Sequence, residues 1–426
     1  MIAGVLQHYK RKIYHPVEKI YWIASLLIVF VASLLPISNF IFKFLANPIN
    51  VAVDRDYFHF NLTFPSLTLC LHNRLNETAV EHFVQQYAKV AKKRQLEAFL
   101  HDLAYFDPNH MEKLAKFTRI STNDYVNILV NVSNHMNAQI ITPQNRSYEL
   151  QPMLTEVGLC YVFNTRIGHL FNPTTTTRMS EESATDQHLY KINFYDAETE
   201  GNLLYMGSNF DIFMHGQMEL PSVKAVIRTE RGQQGSYIKL MFTTHVITSD
   251  EDVRNLAIFQ RRCRFDDESN LVHFPRHYSP SLCQLDCKLQ AYEKHCGCIP
   301  FYYHHVTRDR NQCSHNELKC ISKITEFIEM QNSECECLAS CNDEKLLLQS
   351  TNSFYWLREP SLHFDLEKIK TAYRRQVIFG WRELLVASGA SAGLFLGISV
   401  LSVVEFFYLQ IIRRVYLMKR NCWKKT

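Results

Sequence analysis

Near its C-terminus the chain contains the stretch Ser388-Gly389-Ala390-Ser391-Ala392-Gly393-Leu394-Phe395-Leu396-Gly397-Ile398-Ser399. It lies in a run of 21 uncharged residues from Leu384 to Val404. Glu405 follows, and seven more uncharged residues extend to Ile412. Because a helix of this length exceeds the hydrocarbon thickness of a bilayer, we expect a membrane span that tilts, breaks or protrudes.

The small and polar residues of this run suggest more than helix packing. Glycines at 389, 393 and 397 share one helix face, and small residues let helices approach closely in lipid. Packing alone does not explain the polar side chains of Ser388, Ser391, Ser399, Ser402 and Glu405, because such groups inside a span tend to face a water path. Around a symmetry axis, the oxygens of Gly397 and Ser399 could replace the hydration shell of a small cation. Glu405 would then form a negative ring, or alternatively reach the inner interface.

A second apolar run lies near the N-terminus. Ile20 to Phe42 is 23 residues without a charge, and as a helix it extends roughly 34 Å. We favour a retained span over a cleaved signal peptide, because the run is long and lacks a clear cleavage site. Basic residues lie outside both runs, at Lys10, Arg11, Lys12 and Lys19 and at Arg413, Arg414, Lys419, Arg420, Lys424 and Lys425. The positive-inside rule then makes both termini cytoplasmic.

The segment between the spans has the features of an extracellular domain. All four N-x-S/T glycosylation signals fall within it, at Asn61, Asn76, Asn131 and Asn145. Twelve of the 13 cysteines also lie there, an even number that can pair fully in an oxidising compartment. The net charge of +4 is too balanced for a nucleic-acid binder, so we expect no nucleic acid as a partner. The two apolar runs make membrane lipid the expected partner instead.

Ten of these cysteines fall between residues 263 and 341, and we expect a disulfide-stapled module there. Ser279 and Pro280 predict a helix over 279–295 that places Cys283 and Cys287 on one face. Zinc is the less favoured explanation of the C-x-C spacings, and spacing leaves the pairing open. Helical periodicity over 79–119 and strand-like segments at 190–195, 207–213 and 236–244 predict an α+β domain.

Four segments resemble the degenerin/epithelial sodium channel (DEG/ENaC) superfamily, and within it the insect pickpocket subunits. They are Phe64-Pro65-Ser66-Leu67-Thr68-Leu69-Cys70, then Gly158-Leu159-Cys160-Tyr161-Val162-Phe163-Asn164, the cysteine series from Tyr278-Ser279 to Cys341, and Gly397-Ile398-Ser399 followed by Leu401 and Glu405. The match runs along nearly the whole chain. It implies a membrane protein with two transmembrane helices and a large disulfide-rich α+β extracellular domain.

The resemblance also implies a function and a set of site residues. It implies a homotrimer or heterotrimer forming a voltage-independent, amiloride-sensitive channel in the plasma membrane, with sodium as the permeant ion and no cofactor, bound metal or enzyme activity. The second span would break at its selectivity filter, Gly397, Ile398 and Ser399, and its pore and gate would include Val386, Gly389, Ser391, Gly393 and Glu405. The implied disulfides are Cys70–Cys160, Cys263–Cys341, Cys283–Cys337, Cys287–Cys335, Cys296–Cys320 and Cys298–Cys313.

Combining these inferences gives the expected organisation. Residues 1–19 are a cytoplasmic N-terminus, 20–42 the first transmembrane helix and 43–383 the extracellular domain, with the cysteine-rich module at 263–341. Residues 384–408 are the second transmembrane helix with the pore, and 409–426 a cytoplasmic C-terminus.

The sequence departs from the family pattern at three places. Ala3-Gly4 stands where the family usually has His-Gly, Ala390 replaces a glycine before the filter, and Val386 occupies a gate position that normally holds a small residue. A branched side chain at Val386 should hinder tight closure at a trimer axis. We therefore expect a leaky pore, or a subunit that works beside partners with smaller gate residues.

Three other classes of protein remain as alternatives. An ATP-gated two-span channel would need lysines converging on phosphates, and no comparable signature stands out. A type II membrane enzyme is suggested only by Asp54-Arg55-Asp56, which lies too close to the first span for a catalytic core. A non-conducting receptor or accessory subunit is disfavoured by the serine-lined second span. The sequence leaves the gating stimulus open among force, acid, osmolarity and a ligand.

Overall fold

The computed structural model describes residues 16–56, 61–136, 139–141, 147–174, 189–193, 200–204, 209–221, 228–232, 236–303, 311–331, 335–355, 361–367, 372–397 and 399–408. Its internal contacts divide the chain into two compact units. The first unit comprises residues 1–51, 250–261 and 375–426, and the second comprises residues 52–249 and 262–374.

The α-helices of the described residues are α1 (Pro16–Ala46), α2 (Glu77–Gln86), α3 (Lys93–Ala104), α4 (Tyr125–Val132), α5 (Glu251–Arg254), α6 (Ile258–Arg261), α7 (Pro280–Cys296), α8 (His315–Gln331), α9 (Trp381–Leu396) and α10 (Val400–Phe407). Short 3₁₀ helices lie at Pro108–His110, Leu114–Lys116, Thr122–Asp124, Gly168–Leu170 and Phe301–Tyr303.

The strands of the described residues are β1 (Ile49–Asp54), β2 (Asn61–Thr63), β3 (Ser66–Leu71), β4 (Gln139–Ile141), β5 (Ser147–Glu149), β6 (Gln151–Thr155), β7 (Gly158–Phe163), β8 (Lys191–Asn193), β9 (Glu200–Leu204), β10 (Phe210–His215), β11 (Arg228–Gly232), β12 (Ser236–Ser249), β13 (Cys263–Arg264), β14 (Ala339–Ser340), β15 (Asp343–Tyr355), β16 (Ser361–Leu366) and β17 (Ala372–Val377).

The first unit is built on α1 and α9, which pack against each other. Among the described residues, only Ile20–Ala46 of α1 is long and apolar enough to cross a membrane, with a mean hydropathy of 2.4. The helix extends past the predicted end of the first span at Phe42. The predicted second span is not one helix of that length, because α9 ends at Leu396 and α10 begins at Val400.

The second unit is an α+β domain with two main sheets. The larger sheet has the order β1-β17-β12-β16-β9-β4-β5, with residues 52–54 of β1 and 372–374 of β17 in this unit, and β15 pairs with β12. The smaller sheet has the order β11-β10-β3-β7-β6. Every residue of β3 and β7 is buried, so these two strands form the inner layer of the domain. Two-stranded sheets join β13 to β14 and β2 to β8.

Two residues of the Gly158–Asn164 motif have backbone conformations that explain their identity. Gly158 has φ +115°, and a Cβ there would lie 2.4 Å from the Arg74 guanidinium. Asn164 is left-handed, with φ 58°, and is buried. Its Oδ1 accepts the N–H of Tyr190 at 2.7 Å, and its Nδ2 donates to the carbonyl of Phe64. The motif therefore ends strand β7 and fastens it to two other segments.

The helices of the second unit pack into a separate apolar core. Aromatic rings connect it, with centroid distances of 5.3 Å from Phe99 to Tyr125 and 5.5 Å from Tyr125 to Phe301. The helical region predicted over 79–119 is wrong in extent, because α2 ends at Gln86, α3 covers only Lys93–Ala104, and only 3₁₀ turns follow. Pro108 accounts for this ending, since proline lacks an N–H donor and disfavours helix in the preceding residue.

The predicted helix 279–295 is confirmed as α7. The Ser279 hydroxyl accepts the N–H of Leu282 at 3.0 Å, and Pro280 occupies the first turn. Gly297 ends the helix in the left-handed conformation, with φ 71°. Strands β8, β10 and β12 overlap the three predicted strand segments, although residues 194–195 and 207–208 lie outside the described residues.

Six disulfides join the same cysteines that the family resemblance implies, namely Cys70–Cys160, Cys263–Cys341, Cys283–Cys337, Cys287–Cys335, Cys296–Cys320 and Cys298–Cys313. Two of them attach α7 to residues 335–337, a segment without regular secondary structure. One joins the end of α7 to α8. The 263–341 module is therefore cross-linked along the whole length of its first helix.

Candidate pore segment

A carboxylate caps the N-terminus of helix α9. The Glu383 side chain accepts the N–H of Gly380 at 2.8 Å, at the end of the helix where N–H groups lack intrahelical partners. A negative charge is also favourable against the positive end of the helix dipole. The start of α9 at Trp381 is thus fixed three residues before the predicted span at Leu384.

The other end of α9 is a helix break at the predicted filter. Gly397 is left-handed, with φ 61°, and its N–H donates to Gly393 O at 3.0 Å. Ser399 then caps α10, because its hydroxyl accepts the N–H of Ser402 at 3.2 Å. Ile398 lies outside the described residues. Carbonyls in the last turn of a helix lack the regular partners of earlier turns, so a break of this kind offers oxygen atoms of the type that coordinate cations.

The described part of the chain leaves one face of α9 uncovered. Val386 is 72% exposed, and a Cβ built on Gly389 would meet no atom within 4 Å. Packing against the described part of the chain therefore does not explain why residue 389 is a glycine. Gly397 is exposed and Gly393 is half-buried. Val386 and Gly389 are three residues apart and lie on the same side of the helix.

Ser391 occupies a different face of α9. It is the one described residue of this helix with a buried side chain, at 9% exposure. Val386 and Gly389, which are also predicted to line the pore, are exposed. Helix α9 packs on α1, where Ser33 is 1% exposed, and a pore role for Ser391 stays a prediction. Glu405 is exposed on α10.

A polar and aromatic junction surrounds the far end of α1. Phe40 stacks on Phe379 with a centroid distance of 6.1 Å, and Lys43 Nζ lies 5.1 Å from the centre of the same ring. The Gln260 amide donates to Phe44 O at 3.0 Å, and the N–H of Ile378 donates to Pro48 O at 2.9 Å. Within the first unit, these contacts join α1, α6 and the segment that leads into α9.

In the second unit a partly buried ion pair connects α7 to the β6–β7 turn. Lys288 Nζ lies 2.5 Å from Glu156 Oε2, and the two side chains are 11% and 13% exposed. The Tyr303 hydroxyl donates to the same carboxylate at 3.3 Å. Burial raises the pKa of Tyr303 well above its ordinary value, and the nearby Glu156 charge adds to the rise. The Tyr303 hydroxyl therefore stays protonated and serves as a donor.

Two histidines of the second unit are buried. His215 Nε2 lies 2.8 Å from Thr68 Oγ1, and burial lowers its pKa to about 4 despite a hydrogen bond to Gly216 O. His273 Nδ1 lies 2.7 Å from Asp286 Oδ1. Burial raises the pKa of Asp286, but hydrogen bonds, those of His273 foremost, outweigh burial and leave that pKa below its ordinary value.

Two of the four predicted glycosylation sites have described side chains. Asn131 is exposed on α4. Asn76 caps α2, and its Oδ1 accepts the N–H of Ala79 at 3.2 Å. Because a glycan attaches to the amide nitrogen, this cap leaves the attachment atom available. Asn145 lies outside the described residues, and the Asn61 side chain is likewise not described.

Comparison with known proteins places the chain in a family. A sequence model described as "Amiloride-sensitive sodium channel" matches residues 2–409. The chain belongs to the amiloride-sensitive sodium channel family. This family, part of the DEG/ENaC superfamily, consists of membrane-embedded ion channels and not of enzymes. The second unit with its six disulfides is thus the disulfide-rich domain of a channel-family chain.

Individual relatives support the similarity to pickpocket proteins. Pickpocket protein 28 of Drosophila melanogaster is 22% identical over 476 residues, which cover 95% of this chain and 75% of the relative. Sodium channel protein Nach of Drosophila virilis is 26% identical over 293 residues, covering 64% and 74%. Acid-sensing ion channel 2 of Homo sapiens is 22% identical over 396 residues, covering 82% and 72%.

Several residues that join distant segments within each unit were not foreseen from the sequence. Gln260, Phe379 and the Glu156–Lys288 pair hold segments that are far apart in the chain, and Gln260 and Phe44 are 216 residues apart. No local pattern marks such partners. A weak signal existed for Phe379, because an aromatic residue just before a span is typical of a membrane interface.

Proposed function

We propose that the protein is a subunit of a trimeric, sodium-selective, amiloride-sensitive channel, with its second span formed by α9, the 397–399 break and α10. Both termini would be cytoplasmic in a plasma-membrane protein. Other copies of the chain, or related subunits, would complete the trimer. Membership of the sodium-channel family supports this function.

The observation that carries the proposal is the broken helix at Gly397. A left-handed glycine and a serine cap interrupt the helix where the sequence predicts the filter. Partly free carbonyls and the Ser399 hydroxyl supply oxygens, which replace water around a small cation. The uncovered face at Val386 and Gly389 gives the remaining subunits a surface to meet.

The first test is whole-cell current from the chain expressed alone. We expect an inward current that disappears when external sodium is replaced by an impermeant cation and that amiloride blocks. If glycosylated protein reaches the surface without such a current, co-expression with pickpocket-type subunits decides between an obligate partner and a non-conducting receptor. Absence of current in every combination would contradict the proposal.

The second test places the filter. Ser399→Ala removes the hydroxyl at the break, so we expect the ratio of sodium to potassium permeability to fall severalfold. Ser38→Ala is the matched control, because Ser38 is an exposed serine within α1 whose hydroxyl donates to Leu35 O. Reversal potentials in mixed sodium and potassium solutions measure the ratio. An unchanged ratio in Ser399→Ala would remove Ser399 from the filter.

A further inference from the structure

The 263–341 module contains an open cavity of about 400 Å³. Its wall includes two disulfides, Cys283–Cys337 and Cys287–Cys335, and the side chains of Arg264, Leu271, Tyr278, Asp286, Gln290 and Glu336. We call it the module cavity. Its volume lies in the range of about 300 to 1,000 Å³ that is typical of small-molecule sites.

The walls of the module cavity are fastened to one another. The Tyr278 hydroxyl donates to Leu338 O at 2.7 Å, and the N–H of His273 donates to Asp286 Oδ1 at 2.7 Å. The two disulfides attach α7 to the opposite wall. A site held by such bonds is preformed, and a ligand that enters it does not have to order its surroundings.

One side of the module cavity carries an available cation. The Arg264 guanidinium lies 5.5 Å from the centre of the Tyr278 ring, and its Nη1 donates to Glu268 O at 3.0 Å. In the part of the chain that the structure describes, no carboxylate pairs with it. A guanidinium has five N–H donors in a fixed fork, so it retains the capacity to hold a carboxylate by two hydrogen bonds.

The remaining charged groups of the wall are negative. Glu336 is exposed at the apex of a tight turn in which the N–H of Cys337 donates to Cys335 O at 2.8 Å. Asp286 is a buried part of the wall, with the Gln290 amide donating to its Oδ2 at 2.6 Å. These carboxylates disfavour a ligand with negative charge alone, and Arg264 disfavours a ligand with positive charge alone.

We propose that the module cavity binds a small zwitterion, an amino acid or a short peptide, with Arg264 holding its carboxylate and Glu336 its ammonium group. The apolar part of the ligand would lie against Leu271 and the disulfides. This site lies wholly within the second unit, and its occupation does not depend on whether the chain conducts.

Binding is tested on the full-length chain in detergent micelles by saturation-transfer NMR of the ligand. The zwitterions are leucine and leucyl-leucine. The matched probes are N-acetyl-leucine, which keeps only the carboxylate, and leucinamide, which keeps only the ammonium group. We expect at least one zwitterion to bind about tenfold or more tightly than both single-charge analogues, because each charge-assisted hydrogen bond contributes to affinity.

Variants locate the site. Arg264→Gln should weaken binding of the zwitterion about tenfold or more, with Lys323→Gln, an exposed cation on α8, as the control. Glu336→Gln should remove the advantage over N-acetyl-leucine, with Glu326→Gln as its control. Unchanged thermal unfolding of each variant shows that it folds. No zwitterion binding to the unmodified chain, or equal binding to Arg264→Gln, would overturn the proposal.

Discussion

Asn164 shows how one residue can fix a junction of the second unit. Its left-handed backbone suits asparagine better than most residues, and its side chain satisfies Tyr190 N and Phe64 O. We expect Asn164→Ala to destabilise the domain by about 2 to 4 kcal/mol, because it adds backbone strain and leaves two buried polar groups unpaired. Chemical unfolding of the solubilised chain measures the difference.

The glycine variant separates the two causes. Asn164→Gly removes the same hydrogen bonds but tolerates positive φ, so it should cost about 1 kcal/mol less than Asn164→Ala. Equal losses in the two variants would show that backbone strain contributes nothing at this position.

Val386 gives a second prediction for a single residue. Its side chain is 72% exposed on the face of α9 that its own chain leaves uncovered. If this face closes the pore, Val386→Gly should lower the resting current, because smaller residues allow tighter closure. Leu385→Gly is the control, since Leu385 is also exposed but lies one residue further round the helix. Resting current that is the same before and after Val386→Gly would refute the steric argument.

At the scale of elements, the Glu156–Lys288 ion pair attaches α7 to the β6–β7 turn. Replacing Lys288 with methionine leaves a buried carboxylate without its cation, and we expect a loss of about 3 kcal/mol or more. The double variant Glu156→Gln with Lys288→Met should recover most of that stability, since it removes the uncompensated charge. The measurement is thermal unfolding of both variants. A double variant no more stable than Lys288→Met would contradict this account.

Local signals explain why some elements could be predicted and others could not. Helix α7 has its start in Ser279 and Pro280 and its end in Gly297, all within the segment itself. The break at Gly397 was expected from the motif and the excess length of the run. The extent of α3 was missed because periodicity continued into a segment where Pro108 prevents helix.

The contacts between distant segments could not be predicted from local sequence patterns. Glu156 and Lys288 are 132 residues apart, and neither stands in a recognisable motif. The pairing of the cysteines followed from the family resemblance, since their spacing left the pairing open. The face of α9 that carries Ser391 likewise depends on where α1 packs, which a helical period alone does not determine.

At the scale of the whole molecule, Glu344 lies in a cluster of charged groups that predicts a pH dependence of stability. Glu344 on β15 accepts a hydrogen bond from Gln217 Nε2 at 3.4 Å, close to the Arg166–Asp266 ion pair. Burial raises its pKa to about 7, with Asp343 and Asp266 adding to the rise and Arg166 opposing it. The cluster joins segments from four parts of the second unit.

The sign of the resulting pH dependence follows from the raised pKa. A carboxyl whose pKa is higher in the folded state than in the unfolded state favours folding at low pH, and this contribution is lost as pH rises through about 7. Between the ordinary carboxyl pKa of 4.5 and about 7 the loss approaches about 1.4 kcal/mol per pH unit, and above that range it ends because both states are deprotonated. We therefore expect the melting temperature of the solubilised chain to fall between about pH 5 and pH 7 and to level off above about pH 8. Glu344→Gln, which cannot ionise, should flatten this fall, whereas the exposed control Glu326→Gln should not. Parallel pH profiles for Glu344→Gln and the unmodified chain would assign the pH dependence to other groups.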